Sequence, residues 1–276
     1  MKNCHPEFIS GTRKHNPMTA IPLPSSTQLK LKMRLGVVGL VMLIILFCNI
    51  SFSQSSNTFQ IKDDYIISFS GNYVSSATIL LNPFSADIYE RNSSIELGGG
   101  YGYGFTFRKK IPKSDLYIAL STEYLKIYDD QNTQTLIQDT NYFKVRAYET
   151  LRLFPVELSL FFNVPSFSEN LRIYLGGGLG LYFGDRIRKI IKFETTTTET
   201  RLGANIHILC GIQYYFSSNF SLFFETKFRN AQFTVSSQYS VNNVDINGIT
   251  YYFEQYLKSK MNIDGIKLSI GTNLSF

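Results

Sequence analysis

The sequence contains few residues that could support redox or metal chemistry, with three cysteines and three histidines among 276 residues. Cys4 and Cys48 fall in an N-terminal segment that we expect to be removed, so Cys210 is left alone and cannot form an intramolecular disulfide. His207 is the one histidine beyond that segment, and a lone histidine cannot build a metal site. We therefore predict no disulfide, no metal and no cofactor.

The sequence also lacks a linker, a proline-rich hinge and a block of charge beyond residue 54. No window there repeats apolar residues at helical spacing, whereas several windows alternate apolar and polar residues with a period of two. This alternation is typical of strands with two unlike faces, because successive side chains of a strand point to opposite sides. Residues 54–276 are therefore predicted to form one all-β domain.

The first 53 residues differ in kind from the rest of the chain. Bases at positions 30–34 precede an apolar run at 35–47, and the small residues Ser51 and Ser53 fit a cleavage site before Gln54. The apolar run has about 13 residues, fewer than the roughly 18 to 20 that a membrane-spanning helix requires. A cleaved signal peptide is therefore predicted at residues 33–53.

Met33 and Arg34 already supply the start residue and the basic first region of a signal peptide. We therefore interpret residues 1–32, which precede them, as a mis-assigned or disordered extension. Removal of residues 1–53 takes away six bases and one acid, and the net charge falls by five, from +6 to +1. The basic character of the chain therefore belongs mostly to the leader. Because the remaining domain is nearly neutral, we predict no nucleic-acid partner.

The alternation beyond residue 54 predicts eight strands. Four alternate clearly, at residues 95–108, 171–184, 220–229 and 266–276, and four are less regular, at 65–74, 116–128, 154–163 and 206–216. Each is close to the roughly 9 to 11 residues of a tilted strand that crosses a membrane. The strands are therefore long enough to span a bilayer.

The connections between these strands alternate in length. Long ones at 75–94, 129–153, 185–205 and 230–265 alternate with short ones at 109–115, 164–170 and 217–219. An even number of strands with every second turn tight is typical of an up-and-down transmembrane β-barrel, whose short turns face the periplasm. We predict an eight-stranded antiparallel barrel, or ten strands if the connection at 185–205 or 230–265 adds a hairpin.

Four passages resemble the outer-membrane β-barrel domain family, the small OmpA-like and porin-like proteins. They read GGGYGYGF at 98–105, FPVELSL at 154–160, LGGGLGLYF at 175–183 and GIQYYFSSNFSLFFETKF at 211–228. The resemblance implies an outer-membrane location, with membrane lipid, lipopolysaccharide and the barrel-assembly machinery as partners. It also implies that Phe276, an aromatic residue of the closing strand, is the signal that this machinery reads.

The inward face of the predicted barrel collects charges of both signs. By strand parity these are Glu96, Arg108, Glu123, Glu157, Arg172, Glu225, Lys227, Arg229 and Lys267. We expect them to pair, because unpaired charges are costly in a low-dielectric lumen. Glycines on the same face are expected to make room for larger residues opposite, because eight strands enclose little more than their own side chains. The charges form either a plug or a gate.

Basic residues also lie in the connection at 185–205. Arg186, Arg188, Lys189 and Lys192 are expected to be solvated there, or to contact lipopolysaccharide phosphates. The predicted function is structural or surface-binding, through long extracellular loops that meet an unknown extracellular ligand, with a plugged lumen and no catalytic residue.

Three other functions stay open. The first is a narrow porin for ions or small solutes. The second is a lipid A-modifying enzyme, which would need a serine and an acid to converge on His207. The third is a secreted lipocalin-like binding barrel, which would turn its apolar face inward and leave its glycine-rich face in water.

Overall fold

A computed structural model describes residues 63–138, 141–165, 168, 170–246 and 248–276. The predicted extension at 1–32 and the predicted signal peptide at 33–53 lie outside these residues. In the part of the chain that is described, no helix has both the length and the hydropathy to cross a membrane.

The described residues form fifteen strands and one short helix. The strands are β1 (Tyr65–Val74), β2 (Ala77–Leu80), β3 (Ser94–Leu97), β4 (Gly100–Lys110), β5 (Leu116–Gln138), β6 (Asn141–Val164), β7 (Leu171–Ile190), β8 (Phe193–Arg201), β9 (Gly203–Tyr215), β10 (Phe220–Arg229), β11 (Ala231–Tyr239), β12 (Asn243–Ile246), β13 (Ile249–Tyr252), β14 (Tyr256–Ile263) and β15 (Ile266–Ser275). The helix α1 (Ile88–Arg91) lies between β2 and β3.

Eight of the strands close into a ring. Their order is β1, β4, β5, β6, β7, β9, β10 and β15, and each neighbouring pair is antiparallel. Where β1 meets β15, Tyr65 and Phe276 exchange two backbone hydrogen bonds of 2.9 Å. A closed ring leaves no edge with unpaired backbone groups, as lipid requires. The predicted eight-stranded transmembrane barrel is confirmed, and the ring has eight strands rather than ten.

The outer face of the ring is an apolar belt. Leu179, Ile206 and Ile270 are 64%, 68% and 66% exposed, and many other large apolar side chains of the ring point outward as they do. Near the end with the long connections, an aromatic row crosses four strands. Its ring centroids lie 5.4 Å apart for Tyr103 and Tyr124, 5.0 Å for Tyr124 and Phe154, and 6.1 Å for Phe154 and Phe183.

Aromatic rows of this kind mark the interface between lipid and water, so we call this row the outer girdle and the end beyond it the outer end. The lipocalin-like alternative is wrong, because its apolar face would line the interior. Here the apolar face of the ring is turned outward, and the charged residues point in.

The long connections are strands that continue beyond the girdle. β5 and β6 pair as far as Gln138 and Asn141, well past the predicted strand ends at 128 and 154. Strands β8, β11, β14, β2 and β3 form a second sheet in that order, and β8 joins it to β7. The connections at 185–205 and 230–265 therefore add strands to the outer end instead of widening the ring. We call this outer part the extension.

The interior is layered, and the inward residues of β6 show the order. From the periplasmic end they are Phe161, Ser159, Glu157, Pro155, Leu153, Leu151, Glu149, Ala147 and Val145, all buried. Apolar and charged layers thus alternate along one strand. The lower apolar cluster, around Phe161, Tyr117 and Tyr174, lies beneath a charged layer.

Candidate functional site: the charged lumen and its seal

Seven charged side chains meet inside the ring, and we call them the lumen cluster. They are Arg108 on β4, Glu123 on β5, Glu157 on β6, Glu225, Lys227 and Arg229 on β10, and Lys267 on β15. All seven are buried, because each occupies an inward position of an alternating strand. The structure therefore brings together seven of the nine charges that parity predicted for the lumen.

Each acid of the cluster has a base within reach. Lys267 Nζ lies 2.5 Å from Glu123 Oε2, and Arg229 donates to the other oxygen of Glu123. Lys227 Nζ lies 2.5 Å from Glu157 Oε2, while Arg229 Nη1 is 3.7 Å from Glu157 Oε1. Arg229 therefore links two carboxylates from β5 and β6, and these contacts join β5, β6, β10 and β15 across the lumen.

Neutral donors complete these contacts. Asn72 Nδ2 donates to Glu123 Oε2 at 3.1 Å, and Tyr182 OH donates to Glu157 Oε1 at 2.8 Å. Tyr174 OH donates to Glu225 Oε2 at 3.2 Å. Because buried carboxylates lose their hydration, such additional donors are what make a buried ion pair tolerable.

Arg108 is held in a different way from the other bases. Its Nη2 lies 3.9 Å from Glu225 Oε2, a long ion pair. Its guanidinium carbon lies 4.4 Å from the ring centroid of Phe161 and 5.0 Å from that of Tyr174. Cation–π contacts of this length stabilise a desolvated guanidinium. Arg108 therefore joins the charged layer to the apolar cluster below it.

The cluster fills most of its own space. It contains four bases and three acids, and the cavity beside it measures about 20 Å³, room for roughly one water molecule. The cavity is lined by residues that include Ser70, Thr106 and Ser269. An eight-stranded barrel has an interior that its own side chains fill. Among the described residues, the side chains of the cluster therefore leave little free space beside them.

Glycines let side chains meet across an intervening strand. Gly178 on β7 lies in register with Ser159 on β6 and with His207 on β9. Ser159 Oγ and His207 Nε2 are 2.8 Å apart, and both residues are buried. A Cβ on Gly178 would collide with the backbone oxygen of Leu158. Gly178 thus makes the room that glycines of the inward face were expected to provide.

Glu96 is not in the lumen, which corrects the prediction. It is exposed, while its neighbour Leu97 is buried. The reason is a break at Gly98 and Gly99, where β3 ends and β4 begins, so the parity of residues 95–97 is opposite to that of 100–108. A continuous alternation had been assumed across this glycine run.

Arg172 has the inward parity that was predicted, but it lies at the periplasmic mouth, apart from the lumen cluster. Its Nη1 is 2.5 Å from Asp63 Oδ2, and Lys110 Nζ is 3.0 Å from Asp63 Oδ1. Tyr117 OH also donates to Asp63, at 2.8 Å. Burial alone would raise the pKa of Asp63, but hydrogen bonds from these three side chains outweigh it and lower that pKa. Sequence reasoning missed Asp63.

An apolar layer closes the lumen just above the cluster, and we call it the apolar seal. It contains Val74, Ala77, Ile79, Leu97, Leu125, Ile127, Leu151, Leu153, Tyr182, Ala231, Phe233, Val235, Met261 and Ile263. Every member is at most 3% exposed. Its residues come from ring strands and from the connections alike, so the seal forms where the extension meets the barrel.

A second set of buried charges lies inside the extension. Arg186 Nη2 and Nε contact the two oxygens of Glu149 at 2.8 and 3.0 Å, and Arg186 also donates to Ser259 on β14. Arg188 Nε lies 3.3 Å from Glu149 Oε1. Burial and the adjacent Arg186 charge lower the pKa of Arg188, against the opposing pull of Glu149.

Arg186 and Arg188 were expected to be solvated or to contact lipopolysaccharide, and that expectation is wrong for both. Each is buried, because β7 continues to Ile190 and turns both side chains inward. A further apolar cluster, which we call the distal core, covers them. It contains Leu136, Val145, Ala147, Ile190, Tyr239, Val244 and Tyr251.

Comparisons with known proteins identify the fold. No family model matches the sequence, and no curated protein matches it. Among solved structures, the outer membrane protein OprG of Pseudomonas aeruginosa is 11% identical with a TM-score of 0.52, over 79% of this chain and 98% of that one.

Two further structures align less well. Neisserial surface protein A is 13% identical with a TM-score of 0.43, over 77% of this chain and 97% of that one. The outer membrane protease OmpT of Escherichia coli is 7% identical with a TM-score of 0.46, over 80% of this chain and 100% of that one. Identities this low bear on fold alone. The closed ring, its apolar belt and the likeness to OprG together show the fold of the small outer-membrane β-barrel proteins.

Proposed function

We propose that the protein is a non-enzymatic surface-binding or structural protein of the outer membrane, exported by a cleaved signal peptide at 33–53. The barrel would hold the protein in the membrane without conducting solutes, and the extension would make the contacts outside the cell. The barrel-assembly machinery would read the closing strand at Phe276, whose ring stacks on Tyr65 with centroids 5.9 Å apart.

One observation carries this proposal: the apolar seal lies directly above the lumen cluster. Along β5, the inward Glu123 of the cluster is followed by Leu125 and Ile127 of the seal, each 0% exposed. A hydrated ion loses its water when it crosses such a layer, which costs far more than thermal energy. Solute transport therefore does not suit the closed state, whereas the extension offers a large folded surface outside the membrane.

A narrow pore is supported by one feature of the lumen. Along β1 and β15, the buried polar atoms Ser68 Oγ, Ser269 Oγ and the Asn273 amide have no hydrogen-bond partner among the described side chains. They form a polar wall that runs from the level of Glu225 toward the periplasmic end. A pore would require the seal to open above that wall.

An enzymatic function has less support, although a serine does meet His207. The pair of Ser159 and His207 points into a filled lumen, and both side chains are 2% exposed. A lipid substrate would approach from the opposite, outward face of the strands. The geometry therefore offers the pair no route to an acyl chain.

Conductance in planar bilayers tests the proposal. The refolded wild-type barrel and the variants Glu225→Ala and Arg229→Ala are each expected to show negligible steady conductance, since none of them removes the seal. Heat-modifiable migration on gels would establish that each protein is folded. Steady conductance in the wild type that changes with Arg229→Ala would instead support the narrow porin.

A further inference from the structure

The outward face of β6 carries a column of two basic residues flanked by two tyrosines beyond the outer girdle. Tyr142, Lys144, Arg146 and Tyr148 occupy successive outward positions, about 6.8 Å apart along the strand. Tyr142 is 73% exposed, and Lys144 and Arg146 are exposed as well. We call these four residues the β6 column.

The two bases of the column have no acidic partner. Within the described part of the chain, neither Lys144 nor Arg146 forms an ion pair, and their cross-strand neighbours on β5 are Thr135 and Thr133. An exposed acid, Asp130, lies lower on β5 at the bulge in the β5–β6 pairing. The column therefore presents uncompensated positive charge to the outside.

Two bases nearer the membrane are neutralised by acids, whereas Lys126 on β5, in register with Arg152, is exposed and forms no ion pair within the described part of the chain. Arg152, two residues beyond Phe154 of the outer girdle, makes two hydrogen bonds of 2.8 and 2.7 Å with Asp185. Lys189 on β7, opposite Tyr148, pairs with Glu194 at 3.0 Å. Lys144 lies ten residues beyond Phe154, about 34 Å along the strand. The charge of Lys144 is thus far from the level at which lipid phosphates lie, unlike that of Lys126.

A flat apolar row borders the column at its far end. Tyr252 on β13, Ile137 on β5 and Tyr142 on β6 lie side by side in register, and they are 58%, 58% and 73% exposed. The faces of tyrosine rings are apolar and carry partial negative charge, so the C–H faces of sugar rings pack on them. Aromatic faces therefore stand next to free bases on one outward surface.

From this surface we infer that the β6 column and its apolar row bind a linear acidic polysaccharide from outside the cell. The bases would hold sulfate or carboxylate groups, and the tyrosines would pack against sugar rings. Because the residues repeat along an extended strand, they match a chain with regularly spaced acidic groups. This inference rests on the proposed surface-binding function and names the ligand class for it.

Dextran sulfate is the probe, with neutral dextran and polyglutamate as the comparison polymers. The full barrel would be reconstituted in phosphatidylcholine nanodiscs, and the dissociation constant measured at several salt concentrations. Wild type is expected to bind dextran sulfate, to ignore neutral dextran and to bind polyglutamate more weakly. Removing two charge contacts with Lys144→Gln and Arg146→Gln together should weaken dextran sulfate binding roughly tenfold or more.

Two further variants make the test specific. Tyr142→Ala should weaken dextran sulfate binding without changing polyglutamate binding, since only the sugar packs on the ring. The matched control is Lys258→Gln with Lys260→Gln, two bases with the same spacing on β14, outside the column. This control should bind dextran sulfate like wild type.

Several outcomes would overturn the inference. An equal loss in the β14 control would show that any basic pair suffices, and undiminished binding in the Lys144 and Arg146 variant would show that the column is not the site. Polyglutamate bound as tightly as dextran sulfate would point to an acidic protein instead. Loss of dextran sulfate binding in nanodiscs that contain lipopolysaccharide would assign the column to the membrane's own glycolipid.

Conductance of the same preparations separates this inference from the proposed function. A conducting wild-type barrel would contradict the proposed function whether or not dextran sulfate binds. A non-conducting barrel that fails to bind dextran sulfate overturns the polysaccharide inference alone.

Discussion

Ser159 and His207 lie within hydrogen-bond distance, 2.8 Å from Oγ to Nε2, although their strands do not pair with each other. The strand between them, β7, carries Gly178 at that level, and the absence of a side chain there lets the two residues meet. The contact therefore depends on Gly178, because any side chain at that position would fill the space in which Ser159 and His207 meet. Substitution of that glycine is therefore a sensitive test of the packed lumen.

Gly178→Ala is expected to destabilise the barrel by about 1–3 kcal/mol, the usual cost of overpacking. The new methyl group would press on the backbone oxygen of Leu158 and force Ser159 and His207 apart. Urea unfolding in lipid vesicles would measure the loss. Gly98→Ala is the control, because a Cβ at Gly98 meets nothing within 4 Å. Equal stability of the two variants would contradict the packing described here.

Arg229→Ala is expected to lower the free energy of unfolding by about 3–5 kcal/mol, because it leaves two buried carboxylates, Glu123 and Glu157, with less compensation. The midpoint of urea unfolding would report the change. Arg201→Ala, which breaks an exposed pair with Glu199, should leave that midpoint unchanged. If Arg229→Ala is as stable as wild type, the lumen cluster is not the ion-paired core that the structure shows.

Arg186→Met is expected to loosen the extension while the barrel stays folded. Arg186 connects β6 through Glu149 and β14 through Ser259, and its loss would leave Glu149 buried and without its closest base. Trypsin should then cleave faster at Lys258 and Lys260, while heat-modifiable migration is retained. Lys189→Met removes an exposed base from the same strand and should not change cleavage. Unaltered cleavage in Arg186→Met would show that β14 is held by other contacts.

Asp63 makes the stability of the periplasmic mouth depend on pH. Its folded-state pKa is lowered, so its contribution is fully present above the unfolded pKa of about 4 and is lost as pH falls through the folded value. As the pH falls below about 4, the urea midpoint of wild type should therefore fall more steeply than that of Asp63→Asn. Asp64→Asn, at the exposed neighbour, should follow wild type. Parallel acid profiles of wild type and Asp63→Asn would contradict this account.

The ring could be predicted from the sequence because its two faces meet different surroundings. Lipid accepts only apolar side chains, so strict alternation follows, and residues 65–74 and 220–229 form strands at the predicted bounds. The same parity placed Glu123, Glu157 and Arg229 in the lumen. It failed for Glu96, because the chain changes parity at the glycines 98 and 99. A glycine fits either face of a strand, so the alternation of apolar and polar residues does not reveal such a change.

The extension was missed because it faces water on its outer side, and its outward residues vary freely between polar and apolar. One signal was nevertheless present in β11, where every second residue from Ala231 to Tyr239 is buried. Arg186 and Glu149 are 37 positions apart in sequence, so their pairing becomes evident only from the register of β6 and β7. Asp63 precedes the first strand, where no alternation exists to assign it a side.

The apolar seal and the distal core together draw residues from all four long connections. The connections are therefore not independent loops that could be exchanged one at a time, as surface loops usually are. Replacement of residues 230–265 would remove Phe233, Met261 and their neighbours from the seal, and so would alter the packed interior as well as the outer surface. Substitutions that leave the apolar seal intact are therefore confined to the outward faces of the extension strands, such as the face of β6 that bears Tyr142 and Lys144.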